Sequence, residues 1–252
     1  MASQTKVSRG RPEDVLNSTR GLKMENLNEK IRFKKPGWDP GLRNYGLNRW
    51  QAYSPKLGRR VKSYSDIEYN HSILVESNPD IISYCEQPVK ILGHMDDKDC
   101  ASYPDMWILW RDGTEEFREV KYAKDLDKPK VIRQIAIQKS WCEASGATHS
   151  IYTEREIYEN RLLLANWKVI LSQLTINKDL DLEKVQTQIM QYVTTYSKVS
   201  LGELLEYFTD VLPGDIHAAV FRLIHSGQLS APLDKEELTT QISFEVRNEE
   251  KN

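Results

Sequence analysis

The fold turns on the stretch Tyr103-Pro104-Asp105-Met106-Trp107-Ile108-Leu109-Trp110-Arg111-Asp112-Gly113-Thr114-Glu115-Glu116-Phe117-Arg118-Glu119-Val120-Lys121-Tyr122. Its two halves are apolar or alternating runs parted by a turn signal. They predict strands over Tyr103 to Trp110 and Glu115 to Tyr122 that pair as a hairpin. Glu119 and Lys121 lie two apart on the second strand, so their side chains leave one face. A two-residue Asp112-Gly113 turn would set Asp105 opposite Val120. A three-residue Arg111-Asp112-Gly113 loop would set Asp105 opposite Glu119. We expect the three-residue form, because a terminal glycine suits the left-handed position of that loop. It brings two carboxylates and an ammonium to one face.

Working outward, Ser65-Asp66-Ile67-Glu68 has capping-box spacing and opens a helix with Ile67, His71, Leu74 and Val75 at helical intervals, stopped by Asn78-Pro79. A single strand is expected from Ile82 to Leu92, with Cys85, Gln87, Val89 and Ile91 on one face. Beyond the hairpin, Pro129 starts a helix to about Ala144, Gly146 breaks it, and Thr148 to Tyr152 reads as a strand. Thr153-x-x-Glu156 caps a further helix to about Leu171. The order is helix, three strands, helix, strand: an α/β domain over residues 63–174.

From Thr175 to Asp181 the chain turns polar, a linker signal. Residues 175–252 then predict a second, small domain. Helices are expected over Leu182 to Thr194, from the Ser200-x-x-Glu203 capping box to Phe208, and from Pro213-Gly214 to the Gly227 stop. Two short strands, Gln228 to Pro232 and Thr239 to Val246, would make a wing. Three helices and a hairpin suggest a winged-helix-like module.

Composition narrows the class. Among 252 residues, 35 Lys and Arg stand against 37 Asp and Glu, a net charge of −2. This near-balance hides an asymmetry. Residues 1–62 hold 15 basic and 5 acidic residues, a net of +10, and the remainder holds 20 against 32, a net of −12. The basic segment carries Gly37, Pro40, Gly41, Gly46, Pro55 and Gly58 and no sustained apolar period, so it reads as an irregular arm. Trp38, Tyr45, Trp50 and Tyr53 are interleaved with its charges. Lys56, Arg59, Arg60 and Lys62 cluster before the first folded element. With Trp50 they are the candidates to neutralise phosphates and stack on bases. No apolar run approaches the roughly 18 residues of a membrane span, and the first residues lack the apolar core of a secretory signal. Cys85, Cys100 and Cys142 form no Cys-x-x-Cys pair, which argues for a reducing compartment and against a structural zinc. The five histidines show no metal-ligand spacing.

Asp105, Glu119 and the Val120 carbonyl make a hard oxygen set suited to Mg²⁺, with Mn²⁺ as a substitute. Such an ion stabilises charge on phosphate oxygens and lowers the pKa of a bound water. Lys121 would position or help deprotonate that water and offset charge in the transition state. Glu68, in the first turn of the preceding helix, is a fourth candidate. Glu76, eight residues on, is turned about 80° around an ideal helix and is a weaker one. The same residues also fit a plainer account, with Glu119 and Lys121 on a solvated strand face and Glu68 only completing a cap.

The series Glu68…Pro104-Asp105…Glu119-Val120-Lys121 and the element order resemble the restriction-endonuclease-like, PD-(D/E)xK nuclease fold, a mixed sheet flanked by helices. More narrowly, Ser65-Asp-Ile-Glu68, Cys85-Glu-Gln-Pro88, Tyr103-Pro-Asp-Met106, Glu119-Val-Lys121 and Ile151-Tyr-Thr-Glu-Arg-Glu-Ile157 resemble TnsA, the endonuclease subunit of heteromeric transposases. The resemblance covers about residues 55–165. It implies a DNA endonuclease that cuts the 5′ ends of a transposon, beside a DDE transposase (TnsB) and an ATPase regulator (TnsC). The implied catalytic set is Glu68, Asp105 and Lys121, with Glu119 and Val120 completing a metal shell. The implied setting is the bacterial cytoplasm, at the nucleoid. Some members carry Gln at the position of Glu119, so that residue matters less to the implied chemistry than Asp105 and Lys121. Residues 176–252 hold 7 basic and 13 acidic residues, a poor surface for phosphates, so the C-terminal module is expected to dock a protein such as the ATPase. A stand-alone restriction, repair or junction-resolving nuclease of the same fold, or an inert DNA-binding assembly protein, remain the alternative expectations.

Overall fold

A computed structural model describes residues 27, 29–39, 48–95 and 98–247. Its central feature is a four-stranded mixed sheet in the order β3-β6-β7-β8, built from Ile81–Glu86 (β3), Met106–Trp110 (β6), Glu115–Val120 (β7) and Thr148–Tyr152 (β8). The first three pair antiparallel, and β8 joins β7 in parallel. The β6–β7 loop is the three-residue form. Trp110 N–H donates to the Thr114 carbonyl at 3.0 Å and Gly113 N–H to the Trp110 carbonyl at 2.9 Å. Gly113 has φ +85°, where a side chain would be strained. The pairing runs Met106 to Arg118 and Trp107 to Phe117, so one step further Asp105 lies across from Glu119.

Helices cover both faces. Pro129–Ser145 (α2) lies over Trp107, Leu109 and Phe117, which form a core cluster with Cys85 and Cys142. Asp66–Ser77 (α1) lies on the opposite face, where Val75 meets Ile81, Tyr84 and Ile108, and Ile67 meets Val120 and Ile157. Gly146 closes α2 in the left-handed region at φ +73°, as its place in the sequence leads one to expect.

Three expectations need correction. The basic segment is not wholly irregular: Trp50–Ser54 (β1) and Arg59–Ser63 (β2) form an antiparallel hairpin against α1. Its alternation is too polar to signal a strand, since only Ser54, Val61 and Ser63 are buried. The strand expected from Ile82 to Leu92 breaks at Gln87, whose φ is +42°, and at Pro88. A second hairpin, Ile91–Met95 (β4) with Lys98–Ser102 (β5), follows. The helix expected from Thr153 to Leu171 is two helices, Glu154–Ile157 (α3) and Arg161–Ile176 (α4), restarted by Asn160 accepting from Leu163 N–H. Residues 1–26, Asn28 and 40–47, with Tyr45 among them, lie outside the described residues.

The C-terminal segment comprises Glu183–Tyr196 (α5), Lys198–Ser200 (β9), Leu201–Tyr207 (α6), Pro213–His225 (α7), Leu229–Ser230 (β10) and Ser243–Val246 (β11). Its strands form a small antiparallel sheet in the order β10-β11-β9. The capping box at Ser200 and Glu203 is formed in full. One apolar cluster joins Ile216, Val220 and Phe244 of this segment to Leu164, Trp167 and Ile170 of α4 and to Ile73 of α1. Two polar contacts reinforce the junction: His225 with Glu76 at 2.8 Å, and Arg247 with Asp80 at 2.8 Å.

Candidate active site

Asp105, Glu119 and Lys121 meet where β6 begins and β7 ends. Asp105 Oδ2 accepts from Val120 N–H at 2.8 Å and lies 3.8 Å from Lys121 Nζ. Lys121 also forms an ion pair with Glu119. Glu119 is fully buried on the α2 side, where Gln134 and Gln138 each donate an amide hydrogen to it at 2.6 Å. Gln138 is buried in the stripe of α2 that includes Val131 and Cys142, and Gln134, half-buried, lies one turn before it. Amides at apolar stripe positions were the available sequence signal for this contact. Gln138 also donates to Ser102 Oγ and pairs with His149.

Glu68 reaches the site from α1. It makes part of the expected cap: Ser65 Oγ accepts from Glu68 N–H, while the Glu68 carboxylate accepts from Tyr64 N–H at 3.0 Å and from Ser65 Oγ at 2.9 Å. The same carboxylate lines a cavity of about 10 Å³ with Glu86, Gln87, Asp105 and Val120, room for roughly one water molecule. The cap and the site therefore share one side chain.

The electrostatics of the group are those of crowded acids. Burial, with repulsion from Asp105 behind it, raises the Glu68 pKa to about 7. The same two causes in the same order raise Glu119 to about 8. Burial raises Asp105 against the pull of Lys121. Burial alone would favour neutral Lys121, but Asp105 and Glu119 outweigh it and hold the ammonium protonated. Below the site, the buried Arg118 grips Glu116 through two bonds of 2.8–2.9 Å and stacks 4.2 Å over the Tyr152 ring. His71, buried beside Arg118, is driven to a pKa of about 3 by burial and then by that cation, and is neutral. Arg118 did not stand out in the sequence, because charge on an alternating strand reads as solvent-facing, whereas His71 was placed only as one of the helix's periodic residues.

Among the described residues, no three His, Cys, Asp or Glu side chains are arranged to hold a metal ion. The oxygens of Glu119 are taken up by the two glutamines and Lys121. The remaining donors nevertheless fit a hard cation: Glu68 and Asp105 are oxygen ligands whose mutual repulsion a divalent charge would relieve.

The five residues expected to meet DNA divide. Lys56 Nζ donates to the carbonyls of Asn78 and Ile81 at 2.6 and 2.8 Å, and burial lowers its pKa to about 8. Arg59 forms a two-pronged pair with Glu86 at 2.8 and 2.7 Å. Both are engaged within the fold. Lys62 pairs with Asp39 at the surface, Arg60 is exposed, and Trp50 is 40% exposed, stacked 4.4 Å from Tyr69.

A mixed α/β sheet flanked by helices, with a carboxylate–lysine cluster at the ends of adjacent strands, is consistent with a restriction-endonuclease-like fold. Residues 78–154 match the family described as TnsA-like endonuclease N terminal. That segment is similar to the TnsA-like endonuclease domain, and it contains Asp105, Glu119, Val120 and Lys121 while Glu68 lies before it. No curated protein matches the chain. Among the described residues, no helix is long and apolar enough to cross a membrane.

Proposed function

We propose that the protein is the Mg²⁺-dependent endonuclease subunit of a TnsA/TnsB-type transposase, hydrolysing phosphodiester bonds at the 5′ ends of a transposon. The observation that carries this reading is the meeting of Asp105 with Lys121 and Glu119 inside the segment that matches the endonuclease family. The domain is read as restriction-endonuclease-like. Glu68, Asp105 and the Val120 carbonyl would hold Mg²⁺, which supplies charge stabilisation at the phosphate and a more acidic water. Glu119 belongs to the set through Lys121, whose ammonium it fixes. Lys121, beside Asp105 and Glu119, would offset charge on the scissile phosphate and position or help deprotonate the attacking water.

Arg60, Lys62 and Trp50 are the surface assigned to transposon-end DNA. The order α5-β9-α6-α7-β10-β11 supports a winged helix, and its acidic balance supports docking of the TnsC-like ATPase rather than phosphates. A TnsB-like transposase would cut the other strand. A bacterial, nucleoid-associated location follows from that substrate. The test is transposon-end cleavage with and without these partners, in Mg²⁺, for wild type and Asp105→Ala. Strand cutting should fall by about a hundred- to a thousand-fold in the variant. Undiminished 5′ cutting by Asp105→Ala would remove the site assignment, and no cutting with any partner set would favour an inert assembly role.

A further inference from the structure

One residue of the site cavity has no role in the chemistry above. Gln87 is 6% exposed and lines the cavity beside Glu68 and Asp105. Its side-chain Oε1 is buried with no hydrogen-bond partner. Buried polar atoms are almost always paired, so an orphan acceptor on a residue that lines a cavity calls for a ligand. Gln87 is also held at φ +42°, a left-handed conformation that a glutamine adopts only when its surroundings impose it.

Those surroundings can be named. Gln87 N–H donates to the Asp105 carbonyl at 3.0 Å, and Gly37 N–H donates to the Gln87 carbonyl at 2.9 Å. On one side Glu86 is clamped by Arg59. On the other, the neighbouring Pro88 carbonyl leaves only 2.6 Å to where a Cβ on Gly37 would stand. The strained backbone is thus tied directly to Asp105, and it holds Gln87 at the cavity that Glu68 and Asp105 line.

An amide oxygen accepts hydrogen bonds and binds hard cations but cannot donate. A phosphodiester offers no donor, so the partner of Oε1 is not the phosphate. Between two carboxylates, a divalent cation bound directly or through a single water would satisfy all three oxygens. We propose that Gln87 is a further positioning residue of the site, its Oε1 fixing a divalent cation or that cation's water beside Glu68 and Asp105. This rests on the nuclease reading above.

The test is a Mn²⁺ titration of the full chain followed by electron paramagnetic resonance, with thermal unfolding in parallel. The variants are Gln87→Leu, Gln87→Asn and Asp105→Ala. Leucine removes the acceptor at similar volume and the same backbone geometry, so the apo protein should melt no lower, while Mn²⁺ binding weakens by about 10-fold or more. Asparagine tolerates the left-handed region better but is shorter, so it should raise the melting temperature while still weakening Mn²⁺. Two readouts moving in opposite directions are not expected of a merely structural residue. If Gln87→Leu binds Mn²⁺ within about twofold of wild type while Asp105→Ala does not bind, Gln87 has no such role and the nuclease site stands. If wild type binds no Mn²⁺, or Asp105→Ala binds it equally well, the site reading itself falls.

Discussion

At the scale of single residues, position in the sequence and position in space part company most clearly among the cations near β2. Arg59 and Arg60 are neighbours of identical chemistry, yet one closes a pair with the buried Glu86 and the other faces solvent. Arg59→Ala should therefore destabilise the fold by about 3 kcal/mol, because it leaves Glu86 buried without its partner. Arg60→Ala should leave the melting temperature unchanged and lower the salt slope of DNA binding by about one. Equal effects of the two on DNA binding, with no loss of stability from either, would show that the pair with Glu86 is not formed. The acids of the site make a second prediction. Glu68 and Glu119 have folded pKa values raised to about 7 and about 8. Groups raised in this way contribute stability that is present below their unfolded values and lost as pH rises through the folded ones. Without divalent ions, their contribution should decline between about pH 4.5 and pH 8. Added Mg²⁺ should then raise the melting temperature more at pH 8 than at pH 6, and Asp105→Ala should abolish the difference. Calorimetry at the two pH values decides it; a Mg²⁺ effect that shrinks with pH would contradict the assignment.

At the scale of elements, what the sequence made legible was what local chemistry determines. The three-residue loop could be read because Gly113 stands at the position that needs a positive φ, and the loop then sets the register that puts Asp105 opposite Glu119. Glu119 and Lys121 could be read because strand alternation alone puts them on one face. The β1–β2 hairpin could not, since its strands bury little and are stabilised by α1 rather than by their own pattern. Nor could the break at Gln87, where neighbours distant in sequence impose the backbone. Glu76 shows the same limit: at helical spacing it stands off the site, and in the structure it is a buried hub. It accepts from Ser54 Oγ at 2.6 Å, Lys56 N–H at 2.9 Å and Tyr84 OH at 2.6 Å, and it pairs with His225 at 2.8 Å. Burial alone would raise its pKa, but these partners, His225 foremost, hold it below the usual carboxylate value. Glu76→Ala should cost about 3 kcal/mol, measured by urea unfolding, since three donors and the α7 contact lose their acceptor together. A loss below about 0.5 kcal/mol would mean that water replaces the carboxylate without penalty.

At the scale of the whole molecule, charge and packing divide the chain differently. By charge, a basic segment precedes an acidic remainder, and the polar stretch from Thr175 marks a boundary. By packing, the apolar cluster crosses that stretch: Ile73, Leu164, Trp167, Ile170 and Leu174 are buried together with Ile189, Val193, Ile216 and Phe244. Removing residues 175–252 would bare those five side chains on α1 and α4. At roughly 1.5–3 kcal/mol for each fully buried side chain, the loss is on the order of 10 kcal/mol, comparable to the entire stability of an ordinary domain. The contacts of Glu76 with His225 and of Asp80 with Arg247 would go with it. A chain ending at residue 174 should therefore fail to fold cooperatively, and the intact chain should unfold in a single transition when followed by calorimetry and by tryptophan fluorescence. The position of α1 makes the consequence functional, because Glu68 stands on the same helix as Ile73 and Glu76. Loosening the C-terminal segment, by His225→Ala for example, should weaken Mn²⁺ binding at a site it does not touch. If residues 1–174 melt cooperatively within a few degrees of the intact protein, the two parts are independent and no such coupling exists.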